Sequence, residues 1–231
     1  MPVKLFILGR PGSGKSHAAR FIELQVKIRD GYFFRINDYE FLQRQFFFDN
    51  NHVRFEPVGD TGFGVVDKTV LDEALIDVMR KIKECCESEV YDLVIIEFAR
   101  PNYRDALQIF GKKFLQDAYF LYIHTELPTC FERIWLRAAN PLTADDTFIS
   151  KNTLYSFYHE DNRRYMSVDL AAEFGLQDDQ VMCINNMGSV EYFEARLAVF
   201  FQVFEHRIGR SLETDPALYI PASVFECVAS K

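Results

Sequence analysis

Apolar residues fall into short runs that alternate with stretches of helical spacing, a rhythm that predicts βαβ units around a mainly parallel sheet. The first run, Val3 to Leu8, reads as a strand. After it Ala19, Ile22 and Val26 recur at helical spacing, and the pattern stops at Asp30-Gly31, where glycine would supply a left-handed cap. Tyr32 to Ile36 reads as a second strand that delivers Asn37-Asp38-Tyr39, followed by a helix from Tyr39 to Phe46. Leu71, Ala74, Leu75, Val78 and Ile82 mark a long amphipathic helix. Leu93 to Ile96 shows no alternation, as expected of a central parallel strand covered on both faces, and it ends in Glu97-Phe98-Ala99-Arg100.

Further along, a helix through Leu107, Phe110 and Phe114 precedes a strand from Tyr119 to Ile123. Pro128 opens the next helix, at a position where proline is tolerated, and that helix runs through Arg133, Trp135 and Arg137. A polar loop over 138–146, a helix over about Thr147 to Tyr165, and a last strand from Val181 to Ile184 follow. The helix after Gly188-Ser189 is apolar at Phe193, Leu197, Phe200 and Phe204. Residues 46–66, with Pro57 and three glycines, read as an irregular insertion. No composition shift marks a second domain, so the expectation is one α/β domain over 1–210 and a tail over 211–231.

Composition narrows the function more than the fold. A chain of 231 residues is one large domain or two small ones. A net charge of −8 disfavours a basic groove that tracks nucleic-acid phosphates. An odd number of cysteines, an adjacent Cys85-Cys86 pair and no CxxC fit reduced thiols in the cytoplasm. The apolar run after Lys4 is too short for a signal-peptide core, and no run approaches a membrane span. The heavy use of phenylalanine, including Phe46-Phe47-Phe48, reads first as core filling and second as aromatic walls around a planar ligand.

The strongest chemical signal lies between the first strand and the first helix. Gly9-Arg10-Pro11-Gly12-Ser13-Gly14-Lys15-Ser16 matches GxxxxGK[ST], the P-loop, in the strand–helix setting that the motif requires. Its glycines let backbone N–H groups converge on the β- and γ-phosphates, and the new helix, from Lys15 through His17, points its positive end at them. Lys15 adds a mobile cation for the γ-phosphate, and the Ser16 hydroxyl is the expected Mg²⁺ ligand. The reading is a nucleoside triphosphate bound with magnesium. No NKxD or DxxG for a GTPase and no LSGGQ of a transporter ATPase is present. The candidate magnesium strand ends in a single acid, Glu97, where hydrolytic motors carry two, so transfer to an acceptor is favoured over hydrolysis. Arg133 and Arg137, four apart on one helix face, suit the equatorial oxygens of a transferring phosphoryl group; the alternative is a solvated face.

On these residues the chain resembles the P-loop small-molecule and nucleoside or nucleotide kinases, the adenylate-kinase-like group. The resemblance runs from about Val3 to Phe204 in order of elements. It rests on GRPGSGKS at 9–16, Asp38 after the second strand, Glu97 to Arg100, and ERIWLR at 132–137 with its short lid over 138–146. CINNMGS at 183–189 resembles the closing segment of that group, beside the adenine. The DGFPR pattern of adenylate kinases is missing, and the lid holds no zinc-type cysteines. The resemblance implies a three-layer fold with a five-stranded parallel sheet ordered 2-3-1-4-5, and ATP as donor.

In an open parallel sheet, ligands sit beyond the carboxyl ends of the strands, where Asp38, Glu97 and Arg100 lie. Asp38 accepts the proton of an attacking hydroxyl or caps the helix that follows. Glu97 holds magnesium or acts as the base. Arg100 holds an acceptor phosphate or ribose, or pairs with Asp105 or Glu97. Tyr39 joins the substrate side, and residues 46–66 are the candidate acceptor-binding insertion. Arg35, His52, Arg54 and His124 read as structural or solvated. The expected activity is transfer of the γ-phosphoryl group from ATP to a small molecule, with a nucleoside or nucleotide favoured. The rivals are an NTP-hydrolysing conformational switch and a nucleotide-binding protein without catalysis.

Overall fold

The computed structural model describes residues 1–58, 62–139 and 149–209. Most of the expected lid and all of the tail therefore lie outside the described residues.

In chain order, β1 (Val3–Gly9) leads through the glycine-rich loop into α1 (Lys15–Ile28), and β2 (Phe33–Asn37) into α2 (Tyr39–Phe48). A hairpin of β3 (Phe55–Val58) and β4 (Gly62–Val65) precedes α3 (Thr69–Glu87) and β5 (Leu93–Phe98). Two short helices, α4 (Tyr103–Gln108) and α5 (Lys112–Leu115), lead to β6 (Ala118–His124) and α6 (Leu127–Ala139). After α7 (Lys151–Phe157), a π-helical turn at Tyr165–Asp169 runs into α8 (Leu170–Phe174). β7 (Val181–Asn185) and α9 (Val190–Phe204) close the described chain.

The main sheet is parallel throughout, in the order β2-β5-β1-β6-β7. Numbered without the hairpin strands, that is 2-3-1-4-5. Its central strands are buried on both faces because alternate residues feed two different cores. Phe6 and Leu8 of β1 join Val94, Ile96, Phe120 and Tyr122 against α3, α4 and α8. Leu5 and Ile7 join Leu93, Ile95, Leu121 and Ile123 against α1 and α9. The period-two pleat thus turns one unbroken apolar run into two hydrophobic layers. Phe6 stacks on Phe120 at 5.1 Å and meets Phe110 edge-on at 5.2 Å, so aromatic contacts reinforce the first layer.

Four local expectations need correction. The described residues of 46–66 are not irregular. The first of them extend α2, and the carboxylate of Asp49 then accepts the N–H groups of Val53, Arg54 and Phe55, turning the chain into the hairpin. Phe55 pairs with Val65, and Phe46, Phe55 and Phe63 pack together over Leu42, Val70 and Ala74. Only Phe46 of the phenylalanine run takes part; Phe47 and Phe48 are 77% and 66% exposed. Second, the helix expected through Leu107, Phe110 and Phe114 breaks at Gly111, which takes φ 75°. Third, the helix expected over Thr147 to Tyr165 ends at Phe157, and residues 158–162 are non-helical before the chain coils again at Arg163. Fourth, Asp30, not Gly31, takes the left-handed conformation after α1. Gly31 is needed for space, since a Cβ there would lie 2.8 Å from Val26 and 2.9 Å from Ile208.

Candidate active site

The P-loop is clamped between α6 and the end of β7. Gly12 takes φ 79°, and a Cβ there would meet the Cys130 carbonyl of α6 at 2.5 Å. Gly14 takes φ 108°, and its Cβ would meet the Asn186 amide at the same distance. Neither position tolerates a side chain, and both favour a left-handed backbone. Behind the loop, the Ser13 carbonyl accepts hydrogen bonds from Thr125 Oγ1 at 3.2 Å and Asn186 Nδ2 at 2.8 Å. Pro11 is buried, and Ser16 stands partly exposed in the first turn of α1. His17 turns away from the loop to Glu194 of α9, at 2.8 Å.

Lys15, the first residue of α1, reaches back over the loop and donates to the carbonyls of Gly9 at 2.9 Å and Arg10 at 3.0 Å. Burial pushes its pKa down to about 8; Glu97 and Asp38 oppose the shift, and Arg137 adds to it. The carboxyl ends of β2 and β5 and the helix α6 therefore bring two carboxylates and a guanidinium within electrostatic reach of one ammonium. Arg133, one turn before Arg137, donates to the Asn186 carbonyl at 3.1 Å instead.

Across from the loop, Asp38 and Arg100 form a buried ion pair, each residue 7% exposed. Asp38 has helical backbone angles and makes no cap bond; Asn37 Oδ1 takes the Glu40 N–H in its place. Arg100 also donates to the carbonyls of Ala99 at 2.8 Å and Leu71 at 2.6 Å, and its guanidinium lies over the Phe98 ring. Its carboxylate partner is thus Asp38, rather than Asp105 or Glu97. Glu97 pairs with Arg35 on the neighbouring strand, and Arg35 extends to Glu23 at 3.6 Å. Tyr39 stacks on Phe63 of the hairpin at 5.5 Å, nearly parallel.

His52 and Arg54 belong to the hairpin side: His52 stacks on Phe46, and Arg54 pairs with Glu73 and Asp67. His124 is lowered in pKa by burial and faces Asp161 at 3.8 Å. The side chain of Arg10 leaves the phosphate cradle altogether, for backbone carbonyls at Thr125 and 158–160.

Three further residues shape the site without any sequence signal of their own. The Tyr103 hydroxyl accepts the Gly9 N–H at 2.7 Å and lies 3.0 Å from the Gly9 carbonyl, buttressing the first residue of the loop. Asn162 accepts the Tyr103 N–H at 2.9 Å and donates to the Pro101 carbonyl at 2.7 Å. The hydroxyl of Tyr158 is pushed up to about 12 by burial, and the charges that act on it are those of Arg100 and Asp38. Tyr103 and Tyr158 look like ordinary core aromatics in the sequence. Asn162 sits in what reads as a helix, and its burial is visible only in the structure.

The groups present suit a magnesium nucleotide. The loop is a backbone cradle that a Cβ at Gly12 or Gly14 would obstruct, and a helix N-terminus and an ammonium face it. Among the described residues no cluster of three His, Cys, Asp or Glu could hold a metal alone. Magnesium is compatible with that, since it is held by one or two protein oxygens together with phosphates and water. No helix among the described residues is long and apolar enough to cross a membrane.

No protein-family model matches the chain, and no curated protein matches it in sequence. Solved structures do match in shape. A gluconokinase from Sinorhizobium meliloti 1021 superposes with a TM-score of 0.52 at 16% identity, over 89% of this chain and 95% of that one. The APS kinase CysC of Mycobacterium tuberculosis, solved with AMPPNP and APS, superposes with a TM-score of 0.50 at 13% identity, over 87% and 98%. The chain has the fold of the P-loop small-molecule kinases. At these identities the likeness reaches the fold and stops short of any particular member.

Proposed function

We propose that the protein is an ATP-dependent phosphotransferase that moves the γ-phosphoryl group to a hydroxyl of a small molecule, with a nucleoside or nucleotide as the favoured class. The observation that carries this reading is the sheet register: β1 runs into the loop that Lys15 closes over, beside the carboxyl ends of β5 and β2, which carry Glu97 and Asp38. A donor cradle and an acceptor carboxylate thereby lie at the same edge of the sheet. The Tyr39–Phe63 stack, beside Asp38, supports a flat acceptor.

In this reading the amides of 9–16 and Lys15 hold the β- and γ-phosphates. Ser16 and Glu97 would hold magnesium, which when bound neutralises charge on the phosphates. Asp38 orients the acceptor hydroxyl and takes its proton, with Arg100 fixing the carboxylate. Arg137 meets the charge that develops on the transferring group, and Arg133 ties the middle of α6 to the Asn186 carbonyl. Catalysis then comes from positioning and preorganised charge.

The test is ADP formation by the purified protein with Mg-ATP, against a panel of nucleosides, nucleotides, sugars and hydroxy acids. Turnover that starts only when an acceptor is added is the expected result, and Lys15→Ala should reduce it about 100-fold or more. Steady phosphate release that no acceptor changes would point to a hydrolytic switch. Tight ATP binding with neither transfer nor hydrolysis would point to a nucleotide-binding protein.

A further inference from the structure

Arg10 occupies the second position of the P-loop, yet its guanidinium faces away from the cradle. It donates to four backbone carbonyls: Tyr158 at 2.8 Å, Glu160 at 2.7 Å, and Thr125 and His159 at 3.2 Å. Three of the four belong to one turn, the segment that leaves α7. A side chain that satisfies three successive carbonyls fixes that turn as a unit, and guanidinium is the one protein group with enough donors in a fixed fork.

The same turn is fastened at its other end. Asn162 bonds the Tyr103 N–H and the Pro101 carbonyl, and the Tyr103 hydroxyl bonds Gly9. The segment 158–162 is therefore tied to Gly9 by one route and to Arg10 by the other, so both anchors end on adjacent residues of the phosphate loop. The turn carries Tyr158, which packs against Cys130, Ile134 and Leu154 and meets Phe157 edge-on at 4.9 Å, and Phe157 leads on to the acceptor side. Lys68, just before α3, lies 5.4 Å from the ring of Phe157, and Leu71, one turn further, receives Arg100. Asp38 and Arg100 are the charged groups acting on the Tyr158 hydroxyl.

We propose that Arg10 is a positioning residue that transmits the state of the phosphate loop to the acceptor side, by holding the turn 158–162 whose neighbour Phe157 borders Lys68 at the start of α3. This rests on the nucleotide reading above. Lys15 bonds the carbonyls of Gly9 and Arg10, the two residues to which the turn is anchored. A triphosphate that engages the loop amides replaces those Lys15 bonds with its own hold on the loop, and so fixes the base on which the turn stands. The acceptor side is then ordered when the donor is in place, which disfavours binding in the wrong order.

Backbone amide exchange of 158–162 reads this directly. Mg-AMPPNP is the probe, at saturating concentration, so that a change in affinity does not enter. In the wild-type protein the nucleotide should slow exchange of the turn several-fold. In Arg10→Met the turn should exchange faster at rest and gain no protection when nucleotide binds, while α9 stays protected. Arg10→Lys, which keeps the charge but not the fork, should recover only part of the response, and it serves in place of Arg10→Met if that variant does not fold. A variant that responds to nucleotide as fully as wild type overturns the proposal and leaves the kinase reading standing. Wild-type protein that binds no Mg-AMPPNP overturns both. A merely structural Arg10 would raise the resting exchange without abolishing the nucleotide-dependent change, which also overturns the proposal.

Discussion

Lys15 shows how one side chain can be read at two levels. Its place in GxxxxGK[ST] is visible in the sequence, but its acidity is not. The pKa of about 8 comes chiefly from burial, which disfavours the ammonium, against the pull of Glu97 and Asp38. The sign of the consequence follows. Phosphate prefers the ammonium, so binding draws on the protonated form, which dominates below pH 8 and is depleted above it. Affinity for Mg-AMPPNP should be flat near pH 7 and fall as pH rises through 8, by about tenfold per unit once past it. Calorimetry at pH 7, 8 and 9 checks this, with Lys15→Met, which has no ammonium to lose, expected to show weak binding without that dependence. Asp38 and Arg100 make the complementary point. Each alone has an unremarkable place after a strand. Paired in the interior, each neutralises a charge that would be costly to bury by itself.

Elements differ in how plainly their sequences announce them. The strands β1, β5 and β6 are legible because a strand covered on both faces must be apolar at nearly every position. α3 is legible because Ala74, Leu75, Val78 and Ile82 keep a helical period. The hairpin is hidden because β3 holds a proline, β4 is half glycine, and neither runs long enough for alternation to show. Its stability comes from tertiary packing of Phe46, Phe55 and Phe63 on α2 and α3. Phe55 is fully buried and Phe47 is not, so the two should part company in urea denaturation. Phe55→Ala should cost about 3–5 kcal/mol, and Phe47→Ala should fall within about 0.5 kcal/mol of wild type. The reverse order would mean that the phenylalanine run, and not the hairpin, is the core of this region.

At the scale of the whole molecule the sheet serves both cores and ends in the phosphate loop. β1 passes from the buried layers straight into Gly9, and α1 starts five residues after the next position. The loop at that junction is braced by α6 at the Cys130 carbonyl and by the β7 end through Asn186, and a nucleotide held there would bind against the N-terminus of α1. It should therefore stabilise the folded chain as a unit. At about 100 times its Kd, a ligand that binds only the native state adds about 2.7 kcal/mol. For a chain of this size that corresponds to a rise in Tm of roughly 5–11 °C. A thermal melt with and without Mg-AMPPNP measures it, and an unchanged melting curve would contradict the site.

By itself the sequence determined the strands of the parallel sheet, its doubly buried centre and the phosphate loop, because these depend on local periodicity and on a contiguous motif. Only the tertiary structure decided the partners within the site. Asp38 meets Arg100, and Arg35 meets Glu97, each across 62 residues of chain. The choice between Arg35 and Arg100 for each carboxylate is made by the parallel register of β2 on β5, where Asn37 lies opposite Glu97. The reach of Arg10 to the turn at 158–160 is longer still, 148 residues to Tyr158. Contacts of that range leave no trace in neighbouring residues, since they arise only when separate strands and helices are packed against one another.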